Sequence, residues 1–149
     1  VDARITNIPN SALQNSSVTI NGSSVSLGSS ITLSDSTIKT FTGSGFVVGN
    51  IVALSGSLVL ADPSDSIKSN AIGAVSAISG TTITVKLIGE VTATNASSIT
   101  FIGTPVYVGS NGSVVQYSSL TSGQYATQIG FISDTGKIIL QPRVFGQIA

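Results

Sequence analysis

The sequence contains no cysteine, histidine, methionine or tryptophan among its 149 residues. Without cysteine the chain has no disulfide of its own and no thiol nucleophile. Without cysteine and histidine, the usual zinc sites and the Ser-His and Cys-His nucleophile pairs are also excluded. We therefore expect no metal site, no cofactor and no catalytic residue of these classes.

Charge is scarce as well. Six basic and six acidic side chains give a net charge of zero, and charged residues make up only 8% of the chain. Because there is no basic stripe to neutralise a phosphate backbone, nucleic acid is not an expected partner. No apolar run approaches the roughly 20 residues that a membrane-spanning helix needs, so we also expect no membrane insertion.

The chain is rich instead in glycine, hydroxylated residues and β-branched residues, without the three-four apolar spacing of a helix. This composition predicts an all-β fold, and the spacing of its short runs is typical of a small antiparallel barrel or sandwich. The predicted strands beyond Phe41 are 46–54, 57–60, 72–78, 81–87, 90–94, 99–102, 106–108, 114–117, 126–132 and 137–141. The predicted turns are Ser55-Gly56, Ser79-Gly80, Asn111-Gly112 and Asp134-Thr135-Gly136.

The N-terminal part of the chain alternates apolar and polar residues over very short stretches. The apolar positions that share one face of extended chain are Val18, Ile20, Val25, Leu27, Ile31 and Leu33. The opposite face is almost entirely Ser, Thr and Asn, and each strand is too short to bury its apolar face alone. We therefore expect a partner to cover this face. The alternative is an N-terminal hairpin on a monomeric barrel.

Aromatic residues separate two regions, since all five Phe and three Tyr lie at Phe41 or beyond. We predict an N-terminal segment, residues 1–40, and a β domain, residues 41–149, joined by a short glycine-containing connection. Because the sequence begins at Val1 rather than at methionine, we expect it to be a piece of a longer polypeptide, with a processed product as the alternative.

Part of the N-terminal segment, residues 8–33, resembles a short element that recurs in bacteriophage tail fibres and other virion appendages. The matching residues are Asn15-Ser16-Ser17-Val18-Thr19-Ile20-Asn21-Gly22 and Val25-Ser26-Leu27-Gly28-Ser29-Ser30-Ile31-Thr32-Leu33. The resemblance implies a location on the extracellular phage particle, with other virion appendage proteins as partners. It also implies a homotrimer in which residues 1–40 form a stalk or collar and the six apolar residues above form the trimer interface.

A second region, residues 45–143, looks like the small β-barrel domain of many phage tail and capsid-appendage proteins. The matching segments are Gly49-Asn50-Ile51-Val52-Ala53-Leu54, Asn70-Ala71-Ile72-Gly73-Ala74-Val75, Gly103-Thr104-Pro105-Val106-Tyr107-Val108 with Asn111-Gly112, and Ser122-Gly123-Gln124-Tyr125-Ala126-Thr127-Gln128-Ile129-Gly130-Phe131. The resemblance implies that receptor specificity lies in the loops.

Asp62 and Asp65 are the only close pair of carboxylates in the sequence. Glycosidases use two carboxylates, and calcium sites also begin with such pairs. In an Asp-Pro-Ser-Asp loop, however, aspartate more often accepts hydrogen bonds from nearby backbone amides. We therefore predict an exposed turn here and a protein that is not an enzyme.

Tyr107, Tyr117 and Tyr125 are the remaining candidates for ligand contact. An aromatic face with a hydroxyl suits both stacking on sugar rings and packing in a half-buried sheet. The predicted contacts with a host surface receptor or glycan are Tyr117, Tyr125, Asp62 and Asp65.

These features together predict a non-enzymatic structural domain of a phage tail fibre or virion appendage, which contributes to appendage assembly and host attachment. One alternative is a capsid decoration or head-fibre protein that binds the capsid through its N-terminal segment. Another is a carbohydrate-binding module of a secreted enzyme, which would bind sugar as a monomer.

Overall fold

The computed structural model describes Pro9, Ala12 and residues 16–20, 23–29 and 37–149. The chain forms two compact units, Val1–Asp35 and Ser36–Ala149. In the first unit, strands β1 (Ser17–Ile20) and β2 (Ser23–Ser26) pair as an antiparallel hairpin. Val18 lies directly opposite Val25, so both side chains point to the same face, as the alternation predicts.

The second unit begins with a five-stranded antiparallel sheet in the order β3-β7-β6-β4-β5. Its strands are β3 (Ile38–Thr42), β4 (Ile51–Ser55), β5 (Ser57–Leu60), β6 (Ala71–Ser79) and β7 (Thr82–Lys86). Strand β3 pairs with β7 along its whole length. The division predicted between residues 40 and 41 falls inside this strand.

The remaining strands form a second five-stranded antiparallel sheet in the order β10-β9-β11-β12-β8. They are β8 (Gly89–Thr92), β9 (Pro105–Val108), β10 (Val114–Val115), β11 (Tyr125–Asp134) and β12 (Lys137–Gln147). Three short 3-10 turns lie between them, at Ala96–Ser98, Ser110–Gly112 and Tyr117–Ser119. Gly136 lies in the turn of the hairpin between β11 and β12. Its φ of 73° is in the left-handed region, which glycine adopts at no steric cost because it has no Cβ.

The antiparallel all-β prediction is confirmed. Of the two predicted alternatives, a barrel or a sandwich, the barrel is wrong, because neither sheet closes on itself. Strands β3 and β5 are the edges of the first sheet, and β10 and β8 are the edges of the second. Evenly spaced short strands occur in both barrels and open sheets. The apolar alternation does not encode whether the last strand meets the first.

The main core lies between the two sheets. Ile51 and Ala74 of the first sheet pack with Ile129, Ile138 and other small apolar side chains of the second. A second apolar cluster covers the other face of the first sheet and contains Val52, Leu58, Val75, Ile83 and Val85, with Phe41, Phe46, Ile72 and Leu87 packed against it.

The strand predicted over 46–54 begins too early, since β4 starts at Ile51, and the strand predicted over 99–102 is absent. Residues 46–50 form a turn instead, because the side-chain Oδ1 of Asn50 accepts a 2.8 Å hydrogen bond from Val47 N–H and Gly49 has a φ of 95°. Residues 99–102 follow a 3-10 turn and are not a strand. Phe101 is 76% exposed there, so its apolar character does not mark a core position.

Strand β12 is longer than predicted, because it continues past Pro142 to Gln147. The pairing with β11 shifts between Leu140 and Arg143, which places Pro142 at a β-bulge, where the missing N–H breaks no ladder hydrogen bond. Close packing of these strands also requires Gly130, since a Cβ there would meet the backbone oxygen of Ile139.

Candidate functional site

The loop around the two predicted aspartates is a chain of turns held by its own side chains. Asp62 Oδ1 accepts a hydrogen bond from Ser64 N–H at 2.9 Å. Asp65 Oδ1 accepts two, from Ile67 N–H at 2.8 Å and from Lys68 N–H at 3.0 Å. The predicted bonds from backbone amides to aspartate are therefore confirmed.

These bonds also set the electrostatics of the loop. The backbone N–H of Lys68, followed by that of Ile67, holds the pKa of Asp65 below its ordinary value, since both bonds favour the carboxylate. The loop is exposed at Ser64 but fixed by Pro63, which is fully buried. This rigidity makes it a preformed surface.

A pocket of about 330 Å³ lies beside this loop. It is lined in part by Phe46, Asp62, Lys68 and Asn111. Asn111 has a φ of 56°, a left-handed conformation that asparagine adopts more readily than most residues. This loop pocket thus combines one aromatic ring, one acid, one base and one amide.

Tyr125 is half-buried at the start of β11 and joins this region through its backbone. Its N–H donates to Pro63 O at 2.8 Å, and the neighbouring Gln124 Nε2 lies 3.4 Å from Ser64 Oγ. The structure therefore brings Tyr125 to the aspartate loop, as part of its support.

Tyr117 lies in a different place, which we call the aromatic groove. It is a depression of about 300 Å³ whose walls include the rings of Tyr107, Tyr117 and Phe145 and the backbone from Gly146 to Ala149. The Tyr107 and Tyr117 rings meet edge to face, with centroids 5.4 Å apart and planes at 62°. The Tyr107 and Phe145 centroids are 6.3 Å apart, with planes at 48°.

The second sheet positions these rings. Tyr107 lies in β9 between the buried Val106 and Val108, so it points away from the core. Phe145 lies in β12 beyond the bulge, and Tyr117 follows β10 in a 3-10 turn. The two strands that flank β11 and one turn thus converge on the outer face of the sheet.

Comparisons with family models, curated proteins and solved structures found no match. Among the described residues, no three acidic side chains lie together in a group that could hold a metal ion. Within the same part of the chain, no helix is long and apolar enough to cross a membrane.

Of the predicted trimer-interface residues, three have described side chains. Val18 is 47% exposed, and Val25 and Leu27 are half-buried. The side chain of Ile20 and the residues Ile31 and Leu33 lie outside the described residues. The interface itself stays a prediction.

The sequence reasoning missed Phe145 as a site residue and favoured Tyr117 and Tyr125 over Tyr107. Phe145 was missed because Pro142 suggested that the strand had ended. The signal was weak, since Val144 and Phe145 favour a strand beyond the proline but do not alternate with polar residues. Tyr107 could have been ranked higher, because it alternates with two valines in a predicted strand.

Proposed function

We propose that this chain is a non-enzymatic structural domain of a bacteriophage tail fibre or similar virion appendage, assembled as a homotrimer. Its role is to connect parts of the appendage and to contribute to host attachment. The proposal rests on the resemblance of residues 8–33 to an appendage element. The described hairpin of the first unit supports it.

The hairpin carries the assembly part of this proposal. Val18 and Val25 form a cross-strand pair on one face, yet Val18 remains 47% exposed. A two-stranded hairpin is marginally stable in water unless its apolar face packs against something else. Identical chains around a threefold axis would each supply the missing cover.

The first test is the mass of the purified chain in solution by light scattering. We expect three times the chain mass of 15.0 kDa at micromolar concentration. A capsid decoration or head-fibre protein is also compatible with a trimer, so light scattering does not distinguish it from a tail fibre. Its position on the phage particle does. A carbohydrate-binding module predicts a monomer.

Adjacent residues of β2 provide a matched pair of variants. Val25→Asp places a charge on the paired face, whereas Ser24→Asp places the same charge on the opposite face, where Ser24 is exposed. We expect Val25→Asp to lower the temperature of trimer dissociation far more than Ser24→Asp, because an unpaired charge is costly in an apolar interface. Equal effects would contradict the assigned interface, and a monomeric wild-type chain would contradict the trimer.

A further inference from the structure

Two of the three rings in the aromatic groove are more than half exposed to solvent. Tyr117 is 55% exposed and Phe145 is 62% exposed, although both lie against other rings. The planes of the three rings are tilted by 48° and 62° at their contacts, so they form a concave wall rather than a flat patch. At about 300 Å³ the groove is at the lower end of the size of small-molecule sites.

The groove also has hydrogen-bonding groups, which we call its polar rim: the hydroxyls of Tyr107 and Tyr117 and the amide of Gln147. Neither phenolic hydroxyl of Tyr107 and Tyr117 bonds to another described residue. Gln147 also lines the groove, and its Nε2 donates to Gly123 O at 2.7 Å. That bond fixes the amide and leaves its Oε1 as an acceptor for a ligand hydroxyl.

Charge narrows the choice of ligand. None of the side chains that line the groove is charged, whereas the loop pocket carries both Asp62 and Lys68. A ligand that matches the groove therefore needs apolar faces for the rings and hydroxyls for the rim, without a formal charge. A pyranose has this combination, since its C–H face carries the weakly positive hydrogens that the negative face of an aromatic ring attracts.

We propose that the aromatic groove binds a neutral pyranose, with Tyr117 and Phe145 as the stacking rings and Gln147 as a hydrogen-bonding partner. The inference rests on the proposed role in host attachment, and it names the chemical class of the surface ligand. A proline-rich peptide is the competing occupant, because it also docks on aromatic grooves. The small volume and the polar rim favour one or two sugar rings over an extended peptide.

The test uses the full chain and the methyl glycosides of glucose, galactose, mannose, rhamnose and N-acetylglucosamine, followed by saturation-transfer NMR and titration. We expect at least one of these probes to bind with its ring C–H protons closest to the protein. Binding should change little with ionic strength, since no charge pair is involved. Methyl glucuronide should bind no more tightly than methyl glucoside.

Variants separate the groove from other exposed rings. Tyr117→Ala and Phe145→Ala each remove one stacking ring. Each should therefore weaken binding by about tenfold or more. Phe101→Ala is the matched control, because Phe101 is 76% exposed and lies outside the groove, and it should leave binding unchanged. Tyr117→Phe should weaken binding less than Tyr117→Ala, since it keeps the ring.

Failure to bind any of the five glycosides would overturn the inference, as would binding that survives both groove variants. Binding of a proline-rich peptide in place of all sugars would assign the groove to the other occupant. Light scattering on the same samples reports the trimer independently. A chain that is trimeric but binds no sugar therefore contradicts only the inference about the aromatic groove. A monomeric chain contradicts the assembly proposal.

Discussion

The middle of the first sheet and strand β12 of the second sheet differ in how many of their faces are covered. In the first sheet the consecutive residues Val52 and Ile51 are both fully buried, as are Ala74 and Val75. Because consecutive strand residues point to opposite faces, both faces of that sheet are covered. In β12 of the second sheet Ile138 is fully buried, its neighbour Ile139 is 50% exposed, and Leu140 is buried again. The central strand β11 of that sheet is instead buried at every position from Ala126 to Gly130.

This difference separates strands that are buried on both faces from a strand that is exposed on one face. The first sheet has an apolar cluster on each side. In the second sheet, β12 contributes one face to the main core and presents the other, with Phe145 of the aromatic groove, to solvent. The comparison predicts that identical substitutions have very different effects in the two sheets.

The largest expected effect is that of a charge on the outer face of each sheet. Val75→Asp buries a carboxylate in the second apolar cluster and should cost about 4 kcal/mol or more of unfolding free energy, enough to unfold many domains. Ile139→Asp, on the exposed face of the second sheet, should cost roughly 1 kcal/mol or less. Urea denaturation followed by circular dichroism measures both, and similar losses would show that the outer faces are equally buried.

A smaller effect is expected from shortening neighbouring side chains within β12. Ile138→Ala should lower the free energy of unfolding by about 2–5 kcal/mol, because it leaves a cavity between the sheets. Ile139→Ala should lower it by less than about 1 kcal/mol, since half of that side chain is already in water. The ratio of the two losses, from the same denaturation experiment, sharpens the assignment of the inner and outer faces of the second sheet.

The smallest expected effect concerns pH on the exposed face. Glu90 lies opposite Ile139, and the hydroxyl of Ser133, followed by the ammonium of Lys137, holds its pKa below the ordinary value. A lowered folded pKa stabilises the fold above the unfolded pKa, and this stabilisation is lost as pH falls through the folded value.

Wild-type stability should therefore fall slightly more steeply than that of Glu90→Gln below about pH 4.3, the ordinary value for glutamate. Glu90 and Lys137 are both exposed, so solvent screens the interaction and the difference is small. Urea midpoints measured for both proteins across this range provide the test. Parallel curves would mean that the bonds of Glu90 contribute nothing to stability.

Alternation and turn chemistry were enough to predict the all-β class, most strand positions and the antiparallel pairing of short neighbours. They could not decide between a closed barrel and a sandwich of open sheets, because closure depends on contacts between strands far apart in sequence. The strand that contains Pro142 was cut short, since a bulge that tolerates proline depends on the partner strand. The predicted strand is absent over 46–50, because the side chain of Asn50 accepts a hydrogen bond that closes a turn. The β-branched residues beside Asn50 favoured a strand in the sequence.

The candidate site was predicted only in part, because some of its residues come from distant parts of the sequence. The turn role of Asp62 and Asp65 follows from local sequence, because each bond spans two or three residues. The aromatic groove joins Tyr107, Tyr117 and Phe145 from separate strands and a turn. No local pattern shows that they meet.

The bulge at Pro142 also affects the unpaired edge of β12. Strand β8 pairs with β12 only from Lys137 to Leu140, so β12 beyond Leu140 has its ladder partner on the β11 side. A long unpaired strand edge is a template on which other chains add strands and grow fibrils. A proline and the charged Arg143 at the start of this stretch interrupt that template. Pro142 and Arg143 therefore leave this edge of β12 poorly suited to pairing with a strand of another chain.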